Sequence, residues 1–297
     1  MITRLDTNAY GKNAIKLSKV IRHADRHEIR HISVDVSLKG DFDTVHTLGD
    51  NTKVLPTDTM KNTVYALAKD HFTGPIEDFG LVLARHFLSR NPQVDEVGIE
   101  LTEFCWTRMV FDGQPHPHSF LNGGSEKHVA FVTASRQATR VAAGIRDLLL
   151  LKTTDSGFEH YIKDEYTTLK ETNDRIFSTE CEVSWKYGIP SPGSVAGTAA
   201  PGGPGPTLDF GRLYEDIRLN LLQTFATHQS LSVQHTLYAM GENVLAAFGA
   251  VTEISLKMPN KHHIPFNLGQ FGMENKNEIF IATDEPYGYI TGTLVRD

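Results

Sequence analysis

The chain reads as an α+β protein of two tandem ββααββ units, antiparallel sheets each covered on one face by a helix pair. Three observations carry this: runs of alternating polarity, paired segments with helical apolar spacing, and a second half that repeats the order of the first. Residues 16–20 and 32–38 alternate as strands do, around a charged turn near Ala24-Asp25-Arg26, and form an expected hairpin. Residues 58–69 and 76–88 place Val64, Leu67, Ala68, Phe79, Val82, Leu83 and Phe87 at helical spacing, with Thr57 or Asp58 as the expected cap of the first helix. Strand-like residues 97–104 and 129–133 complete the first unit.

The second half follows suit. Residues 148–152 and 181–187 are strand-like, helices are expected over 213–227 and 233–248, and strands close the unit near 254–258 and 279–283. The octapeptides at 94–101 and 251–258 occupy the same place in each half. The expected domains are therefore residues 1–136 and 137–297, the second carrying a Pro/Gly-rich surface loop at 190–206 that has too little apolar surface to offset its ordering entropy. Each sheet keeps open edges, which invite strand pairing between subunits and an active site between them.

Composition narrows the functional classes. With 297 residues, 40% hydrophobic and 22% charged, the chain suits a two-domain globular protein, and no apolar run nears the roughly 20 residues that span a bilayer. A net charge of −7 without a Lys/Arg cluster argues against nucleic acid as a partner. Cys105 and Cys181 are too few for a disulfide framework, and the termini show neither an apolar leader nor a sorting tripeptide, so the expected compartment is the cytoplasm.

Generic motifs are mostly absent: there is no dinucleotide fingerprint, Walker loop, nucleophile elbow or His-Glu-x-x-His. His116-Pro117-His118 sets two imidazoles on one strand face, but lacks a nearby third ligand, so no metal is expected. The polar cluster Pro259-Asn260-Lys261-His262-His263 follows a strand and offers an amide, an ammonium and an imidazole; it also fits a solvated turn.

Six ordered segments resemble urate oxidase: Tyr10-Gly11-Lys12; residues 57–65, opening Thr57-Asp58-Thr59; residues 151–158, closing Ser156-Gly157-Phe158; residues 164–175, ending Asn173-Asp174-Arg175; Ser232-Val233-Gln234-His235-Thr236-Leu237-Tyr238; and Pro259 to His263. The resemblance implies the tunnelling fold, with subunits pairing edge to edge into barrels and a homotetramer enclosing a tunnel. Its active sites would lie at subunit interfaces, Lys12 and Thr57 coming from one subunit and Phe158, Arg175, Gln234 and His262 from its neighbour.

The same resemblance assigns roles. Arg175 and Gln234 would clamp the planar, anionic edge of urate, helped by the Val233 backbone, while Phe158 stacks on the ring. Thr57 and Asp58 would meet the imidazole edge through main-chain N–H groups at a helix start. Lys12, Thr57 and His262 would relay protons, and Asn260 with Thr57 would hold oxygen or water above the ring. The implied reaction needs no cofactor: urate is oxidised by O2 to 5-hydroxyisourate and hydrogen peroxide is released. A chain ending soon after Tyr287-Gly288-Tyr289-Ile290 without a Ser-Lys-Leu tail fits the bacterial, cytoplasmic type.

Two rivals stay open. Pterin-metabolising enzymes of the same fold also bind planar heterocycles, but usually anchor them with a Glu and often use zinc. A purine-binding ring that has lost catalysis is the other, against which the presence of Lys12, Thr57 and His262 counts.

Overall fold

The computed structural model describes residues 3–188 and 208–296, so the expected loop at 190–206 lies outside the described residues. The chain divides into two compact units, Met1–Gly144 with Lys186–Tyr214, and Ile145–Trp185 with Glu215–Asp297.

In the first unit, β1 (Tyr10–Arg22), β2 (His27–Gly40), β3 (Val94–Phe111) and β4 (Gln114–Ser135) form an antiparallel meander. Between β2 and β3 run α1 (Asp43–Leu48), α2 (Thr57–His71) and α3 (Ile76–Arg90). The alternation at residues 32–38 buries Ile32, Val34, Val36 and Leu38, and α3, lying on β3 and β4, buries Phe79, Leu83 and Phe87. Helix and sheet approach closely at Gly80, where a Cβ would stand 2.8 Å from Val132 and 2.9 Å from Leu101.

The second unit arranges its strands β5-β6-β7-β10, β5 (Thr139–Lys152) entering it from the first. The others are β6 (Phe177–Tyr187), β7 (Val251–Lys257) and β10 (Thr291–Val295). Helices α4 (Phe210–Thr227) and α5 (Val233–Ala247) precede β7, while β8 (Asn260–Pro265) pairs with β6 and β9 (Phe280–Gly288). Among the described residues β1 has one partner strand and so does β10, so each leaves an open edge. No described helix is long and apolar enough to cross a membrane.

Three expectations need correction. Neither Thr57 nor Asp58 caps α2: Pro56 is the N-cap, no side chain caps the helix, and the Asp58 carboxylate turns down the helix to Lys61 and Asn62. Residues 105–128, of which the sequence placed only His116-Pro117-His118 on a strand, extend β3 and β4 into a long hairpin. Its turn is Asp112-Gly113, both at positive φ (51° and 76°) as a two-residue primed turn demands. The polar cluster after β7 is no turn but a strand, β8.

Beneath the first sheet lies a buried ionic chain. Glu77 of α3 is fully buried and meets His128 Nε2 at 3.0 Å; His128 stacks on Tyr214 with centroids 3.6 Å apart, and its Nδ1 lies 4.0 Å from Glu103. Arg30 binds the Glu103 carboxylate through Nε and Nη2, donates to the Gly74 carbonyl and covers the Phe72 ring. A buried carboxylate stripped of its partner is costly, whereas an apolar pair of like volume is often neutral. His128→Leu is expected to lower unfolding free energy by about 3–5 kcal/mol, and Glu77→Leu/His128→Leu to recover most of it in denaturant titration.

Candidate functional site

Sequence-nominated residues fall in both units. In the first, Lys12 lies opposite Val36 just before a bulge, the register slipping between Lys12 and Ile15. Ala14 takes φ 56° there, and its N–H donates to Asp35 Oδ1 at 2.6 Å. A bulge re-aims the neighbouring side chain, and Asp35 pins this one. Gly11 is required by close backbone approach: a Cβ would stand 1.8 Å from the Val36 carbonyl oxygen.

Helix α2 is fastened to β1 along its length. Lys19 Nζ donates to the carbonyls of Ala68 and Lys69 at 2.9 and 2.8 Å, the Tyr65 hydroxyl donates to the Lys16 carbonyl, and the Tyr10 hydroxyl accepts the Leu55 N–H at 2.9 Å. The helix start thereby stays near Lys12. Thr57 is half-buried in its first turn. With Pro56 as N-cap and Met60 N–H the donor to the Pro56 carbonyl, the amides of Thr57, Asp58 and Thr59 have no acceptor within the helix. Lys61 holds the Asp58 carboxyl below its usual range, and the charge of Lys12 acts in the same direction.

In the second unit a strap after β5 carries Phe158 and Arg175. Its two limbs are stitched by main-chain bonds: Phe158 N–H to the Thr172 carbonyl at 2.7 Å, the reverse bond at 3.2 Å, and Arg175 N–H to the Ser156 carbonyl at 2.8 Å. The guanidinium carbon of Arg175 then lies 5.4 Å from the centroid of the Phe158 ring. Burial lowers the Arg175 pKa, and its Nε is out of solvent without an acceptor among the described residues. A half-buried cation with a shielded, open donor, beside an aromatic face, suits a flat anion.

The strap is tied to the start of α5. Gly157 N–H donates to the Ser230 carbonyl and Ser230 N–H to the Asp155 carbonyl, each at 2.8 Å. Ser232 caps the helix, accepting the His235 N–H, while the amides of Val233 and Gln234 have no intrahelical acceptor. Val233 is buried, Gln234 exposed. Asn260 and His262, both half-buried, lie two residues apart on β8, opposite Gly288 and Thr283. Lys261 between them pairs with Glu180 at 2.8 Å and Asp284 at 3.4 Å.

The structure thus groups Lys12, Thr57 and Asp58 in one unit, and Phe158 with Arg175, Val233 with Gln234, and Asn260 with His262 in the other. Asp35, Ser156, Thr172 and Ser230, which hold these groups, were missed from sequence. Asp35 sits on the polar face of a regular alternation, and the other three act mainly through their backbones, which leave no signal in residue type. His116 and His118 have ring centroids 4.7 Å apart, and no cluster of three or more His, Cys, Asp or Glu suited to a metal occurs among the described residues. The Cys181 thiol is buried, which pushes its pKa up to about 12.

Comparison with known proteins is uniform. A family model described as Uricase matches residues 8–133 and 141–291. The chain is 39% identical over 293 residues to the uricase of Arthrobacter globiformis, covering 99% of this chain and 90% of that protein. It is 36% identical over 300 residues to the uricase of Cyberlindnera jadinii, covering 100% and 98%. The crystal structure of uricase from Arthrobacter globiformis matches with TM-score 0.89 at 38% identity, over 100% of this chain and 96% of that one.

Because the Gly11 contact is with backbone, it cannot be relieved by a rotamer change. Gly11→Ala is expected to cost about 1–3 kcal/mol and lower the thermal midpoint by several degrees. Gly98→Ala, whose Cβ would meet only the Ser37 Cβ at 3.6 Å, should stay near the parent.

Proposed function

The chain belongs to the uricase family of urate-oxidising enzymes, and from that premise we propose a cofactor-independent oxidation of urate by O2 to 5-hydroxyisourate and hydrogen peroxide. The observation that carries the site assignment is Arg175: a buried guanidinium edge over the Phe158 ring with no internal acceptor for Nε. Bound urate supplies what that edge lacks, a planar anion that can take two parallel donors. Gln234, exposed at the α5 start, offers an amide donor and acceptor to the same ring edge, and the bare Val233 amide adds a third contact. Phe158 stacks on the purine face.

The other half of the site comes from a neighbouring subunit in a homotetramer. Lys12 and Thr57 lie in the first unit, Arg175 and His262 in the second, and the open edges of β1 and β10 suit strand pairing between copies. Two tandem tunnelling-fold units, 1–136 and 137–297, would make such a ring. The bare amides at the α2 start receive the imidazole edge of urate, which is electron-rich and anionic.

In this reaction urate loses two electrons and O2 gains them. Lys12 takes a proton from bound urate through the Thr57 hydroxyl, and His262 completes the relay. Dioxygen, held by Asn260 and Thr57 above the ring, is reduced to a peroxide bonded to the substrate; water then replaces that peroxide, which leaves as hydrogen peroxide. Urate, O2 and water on one side balance 5-hydroxyisourate and hydrogen peroxide on the other.

A mixing experiment tests roles and assembly together. Lys12→Met and Thr57→Ala should each bind urate under nitrogen almost as the parent does yet lose turnover by about 100-fold or more, whereas Arg175→Ala should lose affinity. Lys12→Met and Arg175→Ala subunits, co-expressed with different tags, should recover activity at about one quarter of the sites, since half of random pairs are mixed and one of their two sites is intact. Normal turnover by Lys12→Met contradicts the relay; no recovery on mixing contradicts the interface site.

A further inference from the structure

Lys152 belongs to a sequence segment singled out above, yet has no part in the chemistry just described. It ends β5, where the strap begins, and is half-buried. Its Nζ donates to the carbonyl of His228, immediately past the end of α4, and lies 5.7 Å from the centroid of the Phe225 ring. A cation there also complements the negative end of the α4 dipole. Burial lowers the Lys152 pKa, with Asp155 opposing, so the ammonium is bonded at a desolvation cost that a surface lysine would not bear.

The residues it holds are the junction of the urate clamp. From His228 the chain runs through Ser230, which is bonded both ways to the strap at Asp155 and Gly157, to Ser232, which caps α5. The Ser230 hydroxyl donates to the Ser232 carbonyl at 3.0 Å. The His228 ring is fixed as well: Nδ1 lies 3.2 Å from the hydroxyl of fully buried Thr236, and its centroid lies 4.4 Å from that of His235. One turn thus sets the position of both jaws, the strap with Arg175 and the helix start with Gln234.

We propose that Lys152 is a positioning residue for urate: by holding the His228 carbonyl it fixes the turn at 228–232, and through it the spacing between Arg175 and Gln234. The inference rests on the reading of Arg175 and Gln234 as the clamp. A clamp whose jaws drift by an ångström loses affinity steeply, so the effect falls on binding more than on the proton relay. A purely structural lysine at the α4 end would lower stability without acting selectively on urate.

The test is a double-mutant cycle on the full-length protein with urate as the probe, scored by KM, kcat and binding under nitrogen. Lys152→Met is expected to raise KM about tenfold with kcat within about threefold, and Lys152→Arg, which keeps a charged donor, to restore most of the affinity. Adding Lys152→Met to Arg175→Ala should change affinity by less than about twofold, because with one jaw gone the spacing between the two no longer matters. An unchanged KM with a lowered thermal midpoint, or effects that multiply in the double variant, would overturn the proposal. Should Lys152→Met not fold, Thr236→Val releases the His228 ring instead: raised KM supports the proposal, and unchanged KM overturns it. Arg175→Ala binding urate as tightly as the parent would remove the clamp itself, an outcome distinct from a cycle in which only Lys152 proves silent.

Discussion

The second unit is arranged around a cation that its own residues do not neutralise. Arg175 is half-buried, and its Nε is out of solvent without an acceptor among the described residues, an arrangement that leaves a donor unsatisfied. Such a side chain stays put only when its backbone is tightly held. The reciprocal bonds between Phe158 and Thr172, the Arg175 bond to Ser156 and the ties to Ser230 do that holding. The Phe158 ring lies beside the guanidinium, its centroid 5.4 Å from the guanidinium carbon.

The two units use one device twice, with different trim. Each presents a helix start whose first amides have no acceptor in the helix: Thr57 and Asp58 in α2, Val233 and Gln234 in α5. At α5 Ser232 caps one amide and leaves its predecessors open, so the helix is both terminated and receptive. At α2 no side chain caps, and Asp58 turns to Lys61 and Asn62 instead. Around α2 the sheet supplies what the cap does not: Lys19 and Tyr65 fasten the helix to β1, and the bulge beside Asp35 directs Lys12. Strain and close approach are thus concentrated at Gly11 to Ala14, next to the residue given the proton-transfer role.

Much of the fold was legible because burial enforces period. Ile32, Val34, Val36 and Leu38 alternate because one face of β2 is core, and Phe79, Leu83 and Phe87 recur because α3 turns one face to β3 and β4. Where that enforcement ends, so did legibility. The hairpin beyond Phe104 carries exposed Trp106, Val110, Phe111 and Leu121, so apolar residues fall on no single face, although Asp112-Gly113 marked its turn. Strand β8 begins Asn-Lys-His-His, polar at every position, so no alternation of polarity marks it, and its partners on β6 and β9 are distant in sequence. Of the site, the residues with distinctive side chains could be nominated only through resemblance. Their supports, Asp35, Ser156, Thr172 and Ser230, act across 14 to 75 residues of chain by bonds that leave no pattern of type or spacing.

The central claim is that these protein groups and urate itself suffice for the oxidation. Its most direct test is purified protein, stripped of metals with a chelator and dialysed, given urate in aerated buffer while near-ultraviolet absorbance and dissolved oxygen are followed together. Equal consumption of urate and O2, with peroxide formed in the same amount, is the predicted result. Well-folded protein that consumes neither until a metal or cofactor is restored would contradict it.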